Sequence, residues 1–356
     1  MMPSIFRKWI QKYFSSVEAV AFSLLLVVAV LVILTMGHIL APVFTAIILA
    51  FLMQGTTNSL VRVRIPETFA VMTTYAIFIG IFFWIALFLV PLAFNQGKLL
   101  LTELPTMLHN MQAWLDELHT SYPELITEVQ IKEWMATLNG QIGRLGQQML
   151  AQSVTTITTL FGLVIYLILV PLLVFFFLKD KATIFNWLGR FLPSDRPFMS
   201  TIWEEMNRQA ANYVRGKMIE IIIVGVATYI AFFVLGLNYA ALLAILVGLS
   251  VLIPYIGAAV VTIPVLAVGF YQWGWGEDFY WLFGAYMFIQ AVDGNIIVPL
   301  LFSEAVNLHP IAIILAALVF GGLWGFWGVF FAIPLATLIK ALIYSWPRAR
   351  FGEEAL

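Results

Sequence analysis

The chain has 356 residues, of which 62% are hydrophobic and only 10% charged, with a formal net charge of −1. Soluble domains run near half apolar and a quarter charged, so this composition excludes a soluble globular protein and requires a polytopic membrane protein. The balanced charge, without a long basic block, gives no footprint for nucleic acid, and the absence of cysteine excludes disulfides and thiol chemistry.

In chain order, the first expected element is a basic amphipathic helix. Ile5, Phe6, Trp9, Ile10, Tyr13 and Phe14 recur at helical spacing, with Arg7, Lys8 and Lys12 on the other side. Such a helix lies on the membrane surface ahead of the first span. Apolar windows of about 20 residues then mark spans. They cover 19–36, 38–60, 68–91, 154–178 and 218–235, followed by a stretch at 240–271, a span at 279–301 and a terminal stretch at 310–346. His38 and His309 stand at span ends, where interface placement accounts for them.

Two segments between the windows are amphipathic rather than spanning. Residues 98–150 carry Leu104, Met107, Leu108, Met111, Trp114, Leu115 and Leu118 at three-four spacing, with helix breaks expected at Pro123 and Gly140. Six acidic residues there outnumber Lys98, Lys132 and Arg144. In 179–217 the balance reverses, with seven bases against four acids. Placing both termini, the Arg62–Arg64 turn and 179–217 in the cytoplasm puts 15 of the 18 Lys and Arg inside, as the positive-inside rule demands.

The last third breaks at Leu252–Ala258 (LIPYIGA) and at Phe320–Pro334 (FGGLWGFWGVFFAIP). A proline inside a helix removes a backbone hydrogen bond and costs about 3 kcal/mol, and glycine weakens the helix further. Each stretch therefore reads as a re-entrant hairpin, with a kinked single span as the alternative. Pro254, Tyr255 and Gly257 form one expected tip. Gly321, Gly322, Gly325 and Gly328 form the other, with Pro334 following. A span followed by a hairpin then occurs twice in opposite orientations, the pattern of inverted repeats whose broken helices enclose a solute site.

Within the 279–301 span, FIQAVDGNIIVP (288–299) places Gln290, Asp293, Gly294 and Asn295 in an apolar run. An aspartate near the bilayer centre costs about 2.5–3.5 kcal/mol on insertion scales, so Asp293 should face protein or a cavity. It is the first candidate for a proton, cation or solute-hydroxyl site, with Gln290 one turn earlier on the same face and Asn295 beside it. Pro299 predicts an interruption of that helix, and Gly294 a close backbone approach to a hairpin tip. Arg215 and Glu220 flank the start of the 218–235 span and are the candidate gating ion pair. The chain has no H-E-x-x-H, P-loop or nucleophile elbow, which argues against an enzyme, and no cofactor or metal site is expected.

The segments LVPLLVFFFLKDK (169–181), NYVRGK (212–217), GLNYAALLAILVGLSVLIPYIGA (236–258), DGNIIVPLLFSEAVNLHP (293–310) and FGGLWGFWGVFFAIPLATLIKA (320–341) carry a resemblance. The sequence resembles the autoinducer-2 exporter family, and within it the PerM-type permeases, over nearly the whole chain and most densely after Pro171. The resemblance implies a bacterial inner-membrane secondary transporter, homo-oligomeric, with two hairpins as its transport core. Members studied as exporters move autoinducer-2, and some relatives are proposed to be Na⁺(Li⁺)/H⁺ antiporters. Many members carry a glutamate where this chain has Asp293.

The expected organisation is a surface helix and three spans (1–97), an acidic extracytoplasmic segment (98–152), a fourth span with the basic segment (153–217), the transport core (218–346) and a cytoplasmic tail (347–356). The expected function is export of a small polar solute by alternating access, its partners being the bilayer, the solute and a coupling H⁺ or Na⁺. Two rival readings are a cation/proton antiporter using Asp293, and a non-transporting scaffold that recruits envelope proteins through its acidic segment.

Overall fold

The computed structural model describes residues 17–37, 39–122, 127–154, 156–254, 256–302 and 308–345, and its described regular elements are all helical. The expected surface helix at 1–16, His38, Pro123, Tyr255, the 303–307 turn and the tail beyond 345 lie outside the described residues. The N-terminal half comprises α1 (Val17–Met36), α2 (Ala41–Arg62), α3 (Glu67–Ser121), α4 (Glu128–Val154), α5 (Thr156–Lys179) and α6 (Lys181–Gly189). The C-terminal half comprises α7 (Pro197–Val234), α8 (Ala240–Ser250), α9 (Ile256–Trp273), α10 (Glu277–Phe302), α11 (Pro310–Phe330) and α12 (Ala332–Ser345). Among the described residues, eight helices are long and apolar enough to cross a membrane by length and composition: α1, α2, α3, α5, α7, α9, α10 and α11, the last interrupted at Gly325. The chain is a polytopic helical membrane protein.

The helices are longer than the hydropathy windows. At 55 residues, α3 extends about 82 Å, far beyond a hydrocarbon core of about 30 Å. The third span and the first acidic amphipathic stretch are thus one helix. Its outer part packs against α4 through Leu108, Ile131 and Met135. The break expected at Gly140 does not occur: α4 runs through it, since glycine alone weakens a helix without ending it. Likewise α7 joins the basic segment to the fifth span, and α1 caps it, because Glu18 accepts a hydrogen bond from the Met199 N–H at 2.7 Å. A carboxylate at a helix N-terminus also meets the positive end of the dipole.

Two prolines that should have broken helices are instead absorbed by π turns. Ile85–Leu89 and Asp293–Ile297 are both π-helical, and each is followed by Val-Pro. The Val90 N–H bonds to Ile85 O and the Val298 N–H to Asp293 O, five residues back. A proline ring clashes with the carbonyl four residues earlier in an α-helix, and widening the turn relieves that clash while the helix continues. The interruption expected at Pro299 is therefore a widening at Asp293–Ile297.

Both late stretches reverse direction. A Cβ on Gly257 would stand 1.8 Å from Ser250 O, and one on Gly328 the same distance from Phe320 O. Residues seven or eight apart in a continuous helix are separated by more than 10 Å, so the chain turns back in each case. Gly325 makes the second turn, with φ +59° and ψ −137°, a conformation open essentially to glycine alone. Each hairpin also closes at its base. Gln272 accepts from the Asn238 N–H and donates to Gly236 O, both at 2.8 Å. In the second hairpin, Leu308 shares a cavity wall with Lys340, Ala341 and Tyr344. These contacts rule out kinked single spans.

The hairpins approach from opposite ends of α7. The base of the first adjoins the C-terminal end of α7, while the base of the second lies beside Thr201–Gln209. Their tips meet near its middle, where Tyr213 and Val214 of α7 cluster with Leu252 from the first tip and with Ile313, Phe330 and Ile333 from the second hairpin. The first hairpin zips through Ala240, Leu243 and Val247 with Val261, Val265 and Val268, residues at equal distances on either side of Pro254. A separate cluster of Ala46, Ala50, Val71, Phe78, Val170 and Val174 binds α2, α3 and α5 into a supporting bundle. Phe44 of α2 meets Trp324 of the second tip edge to face, with centroids 4.9 Å apart.

Candidate functional site

The site begins with a stripe on α7. Tyr213, Lys217, Glu220, Val224, Thr228 and Phe232 are all buried, and their steps of three and four residues keep them on one face. Two features draw neighbouring helices close to that face. Gly216 leaves room for the Phe302 ring, which a Cβ would approach to 2.7 Å, and Gly225 faces Gly248 of α8, whose Cβ would lie 3.1 Å from the Gly225 Cα. Small residues at such crossings let helix backbones approach in a membrane.

Opposite this stripe, α10 presents Leu282, Tyr286, Gln290 and Asp293 at the same spacing. Tyr286 shares a hydrogen bond of 2.9 Å with Thr262 of α9. Asp293 is only 8% exposed, and its Oδ1 has no hydrogen-bond partner among the described residues. The Lys217 ammonium stands 2.8 Å from Glu220 Oε2 and 3.1 Å from Oε1, and it donates to Val251 O at 2.7 Å. Both side chains are nearly inaccessible, at 6% and 2% exposure. Asp293 lies on the turn of α10 that packs against α7, so a second buried carboxylate stands at the same helix crossing. Two buried carboxylates, one ammonium and a hairpin-tip carbonyl converge there.

The expected site residues separate into those that converge and those that do not. Asp293 and Gln290 face α7, and Pro254 lies at the tip next to the carbonyl held by Lys217, while Gly257 closes that tip. Asn295 does not join them: it is exposed and donates back to Ala291 O at 2.8 Å. Tyr255 lies outside the described residues. A Cβ at Gly294 would meet no described atom within 4 Å, so that glycine admits no close backbone approach. In the second hairpin Gly325 makes the turn, Gly321 and Gly328 fit its inner side, and Gly322 faces open space. Pro334 sits in the first turn of α12, where a missing N–H costs little.

The expected Arg215–Glu220 pair is not formed. Arg215 is exposed and lies over the Phe51 ring at 5.3 Å, while Glu220 pairs with Lys217. Residues 215 and 220 are five apart, and helical neighbours are three or four apart. That rule points to Lys217, which charge counting had grouped with the surface bases. Its position three residues before a glutamate at the start of an apolar run was the available signal.

The signature of the AI-2E family, described as AI-2E family transporter, matches residues 21–348. The chain is 44% identical to "Putative permease PerM" of Escherichia coli strain K12 over 353 residues, covering 99% of this chain and all of the relative. It is 27% identical to "Putative transport protein YueF" of Bacillus subtilis over 88% of each chain, and 24% identical to "Putative transport protein YrrI" of the same organism over 89% of each. Fold, motifs and full-length similarity agree: the chain belongs to the AI-2E family of transporters.

Proposed function

We propose that the protein is a bacterial inner-membrane permease that exports a small polar solute, autoinducer-2-like in chemistry, by alternating access. The path runs between α7, α10 and the two hairpin tips, and Asp293, Lys217, Glu220 and Gln290 form its binding site. The observation that carries this reading is the unpartnered, buried Asp293 Oδ1 beside the Lys217–Glu220 pair, at the level where hairpins from opposite ends meet. Taking two charges out of water costs several kcal/mol per ion after relaxation, and replacement by apolar residues is often neutral or stabilising, so stability alone gives no reason for the cluster. In a membrane such groups mark ion or solute routes. We place the basic segment and both termini in the cytoplasm from the distribution of Lys and Arg, and take the working unit to be a homo-oligomer from the family relationship.

A cation/proton antiporter is the second reading, favoured by the cage around Lys217. Its ammonium is held by carboxylate oxygens and one carbonyl, the donor set that a hard monovalent cation also takes. A comparison of metabolites in medium and cytosol, with and without the protein, tests the first reading. Export predicts at least one polar metabolite enriched in the medium. An antiporter instead changes only Na⁺ or Li⁺ tolerance and internal pH, and a scaffold changes neither.

A further inference from the structure

Two features outside the charged site lie on the same face of α7. Near the N-terminal end of that helix is a cavity of about 540 Å³, open on one side and lined by Glu204, Glu205, Arg208, Gln209, Thr337 and Lys340 among others. Glu205 holds both Arg208, by an ion pair, and Gln209, which donates to it at 2.8 Å. The cavity therefore presents both charge signs and amide groups, a surface suited to small polar or zwitterionic solutes rather than to apolar ones. Between it and Lys217 stands an apolar plug. Tyr213 is 2% exposed, with the Phe302 ring at 5.9 Å and the Phe330 ring at 6.1 Å, and Leu252, Ile313 and Ile333 complete the closure.

The walls of cavity and plug are continuous. On α7, Gln209, Tyr213 and Lys217 follow at one-turn steps, so cavity and charged site are about 12 Å apart along the axis. On the second hairpin, Thr337 lines the cavity while Ile333 and Phe330, on the same face, enter the plug. Polar atoms mark the same line. Gln209 Oε1, Tyr213 Oη, Thr228 Oγ1, Gln290 Nε2 and Asp293 Oδ1 are all buried without a hydrogen-bond partner among the described residues. Folded proteins rarely leave such groups unpaired, and a series shared by α7 and the facing α10 is explained if the crossing between them is wetted in another state. A plain apolar core would place phenylalanine, not tyrosine, at 213.

We propose that Tyr213, clamped between Phe302 and Phe330, is the gate between a polar solute vestibule at the basic end of α7 and the Lys217–Glu220–Asp293 site. The inference rests on the permease reading and adds the step it lacks. Gate residues come from α7, from the end of α10, from the first tip and from the second hairpin. A shift of the second hairpin withdraws Phe330 and Ile333 together, which joins the vestibule to the charged site and offers the Tyr213 hydroxyl to the passing solute.

The test reads water access, not flux. The chain lacks cysteine, so Val224→Cys places one thiol on α7 one turn beyond Glu220, at a fully buried position. A charged, impermeant methanethiosulfonate is added to vesicles with the basic segment outward, and labelling rates are compared across gate variants. Tyr213→Ala and Phe330→Ala, which open the plug from two separate elements, should each raise the rate on the order of tenfold, a decade shift in the open population. Tyr213→Phe keeps the ring and should label as slowly as the parent. Gln209→Cys, already in the vestibule, should label fast with or without the gate variants. Detergent gel filtration checks that each variant keeps the parent's elution. If either folded alanine variant leaves Val224→Cys at the parental rate, the gate assignment is overturned. Because labelling needs no transport, the gate can stand or fall independently of the permease reading.

Discussion

Lys217 of α7 donates a hydrogen bond of 2.7 Å to the backbone carbonyl of Val251 at the tip of the first hairpin. That bond ties the position of the hairpin to the charge of Glu220, because one ammonium serves both. Any change that draws Lys217 toward Asp293 or toward a solute therefore loosens the tip.

Replacing Lys217 by methionine should separate the structural from the transport role of the pair. The single variant leaves Glu220 buried without its partner and should cost about 3–5 kcal/mol, seen as a lower apparent Tm in detergent. Adding Glu220→Gln removes the orphaned charge and should restore most of the Tm while transport stays lost. If the double variant transports like the wild type, the pair is only structural.

A glycine series checks the second hairpin. Gly325→Ala forces a Cβ onto φ +59° and should destabilise by about 1–3 kcal/mol. Gly328→Ala drives a Cβ into Phe320 O and should be at least as damaging. Gly322→Ala meets open space in a helical stretch and should be neutral or slightly stabilising. Equal effects at all three positions would be incompatible with a turn at Gly325.

The opposed hairpins make a topological prediction. Asp278 and Asp195 are both exposed, the first beside the base of the first hairpin and the second next to the N-terminal end of α7. Asp278→Cys should react with an impermeant thiol reagent from outside the cell, and Asp195→Cys only from the cytoplasmic side. Reactivity of both from one side would contradict the arrangement, while a simple exchange of sides would reverse the orientation and keep the fold.

Much of this architecture was legible in the sequence. Six of the eight apolar windows correspond to single helices long enough to span, and 240–271 and 310–346 each divide, at Pro254 and Gly325, as turn chemistry predicts. Asp293 and Gln290 could be found because a polar residue in an apolar run must be accounted for. The π turns are not legible there, since a proline alone does not reveal whether a helix breaks at Pro299 or widens before it. The break expected at Gly140 fails for the converse reason: on an exposed helix its penalty is about 1 kcal/mol, and the neighbouring turns carry it. Lys217 does not stand out in a charge count, because counting charges along a segment discards which face they occupy. Tyr213 could not be read as a gate from sequence, since its partners Phe302 and Phe330 are 89 and 117 residues away.

Solute flux through Asp293→Asn is the most direct test that the buried carboxylate works rather than merely fits. The asparagine keeps the side-chain shape and most hydrogen bonding but removes the buried charge. Membrane insertion and detergent elution should match the wild type, while export into the medium, or cation/proton exchange in vesicles, should be abolished or lose its pH dependence. An Asp293→Asn protein that transports at the wild-type rate with the wild-type pH profile would contradict the account.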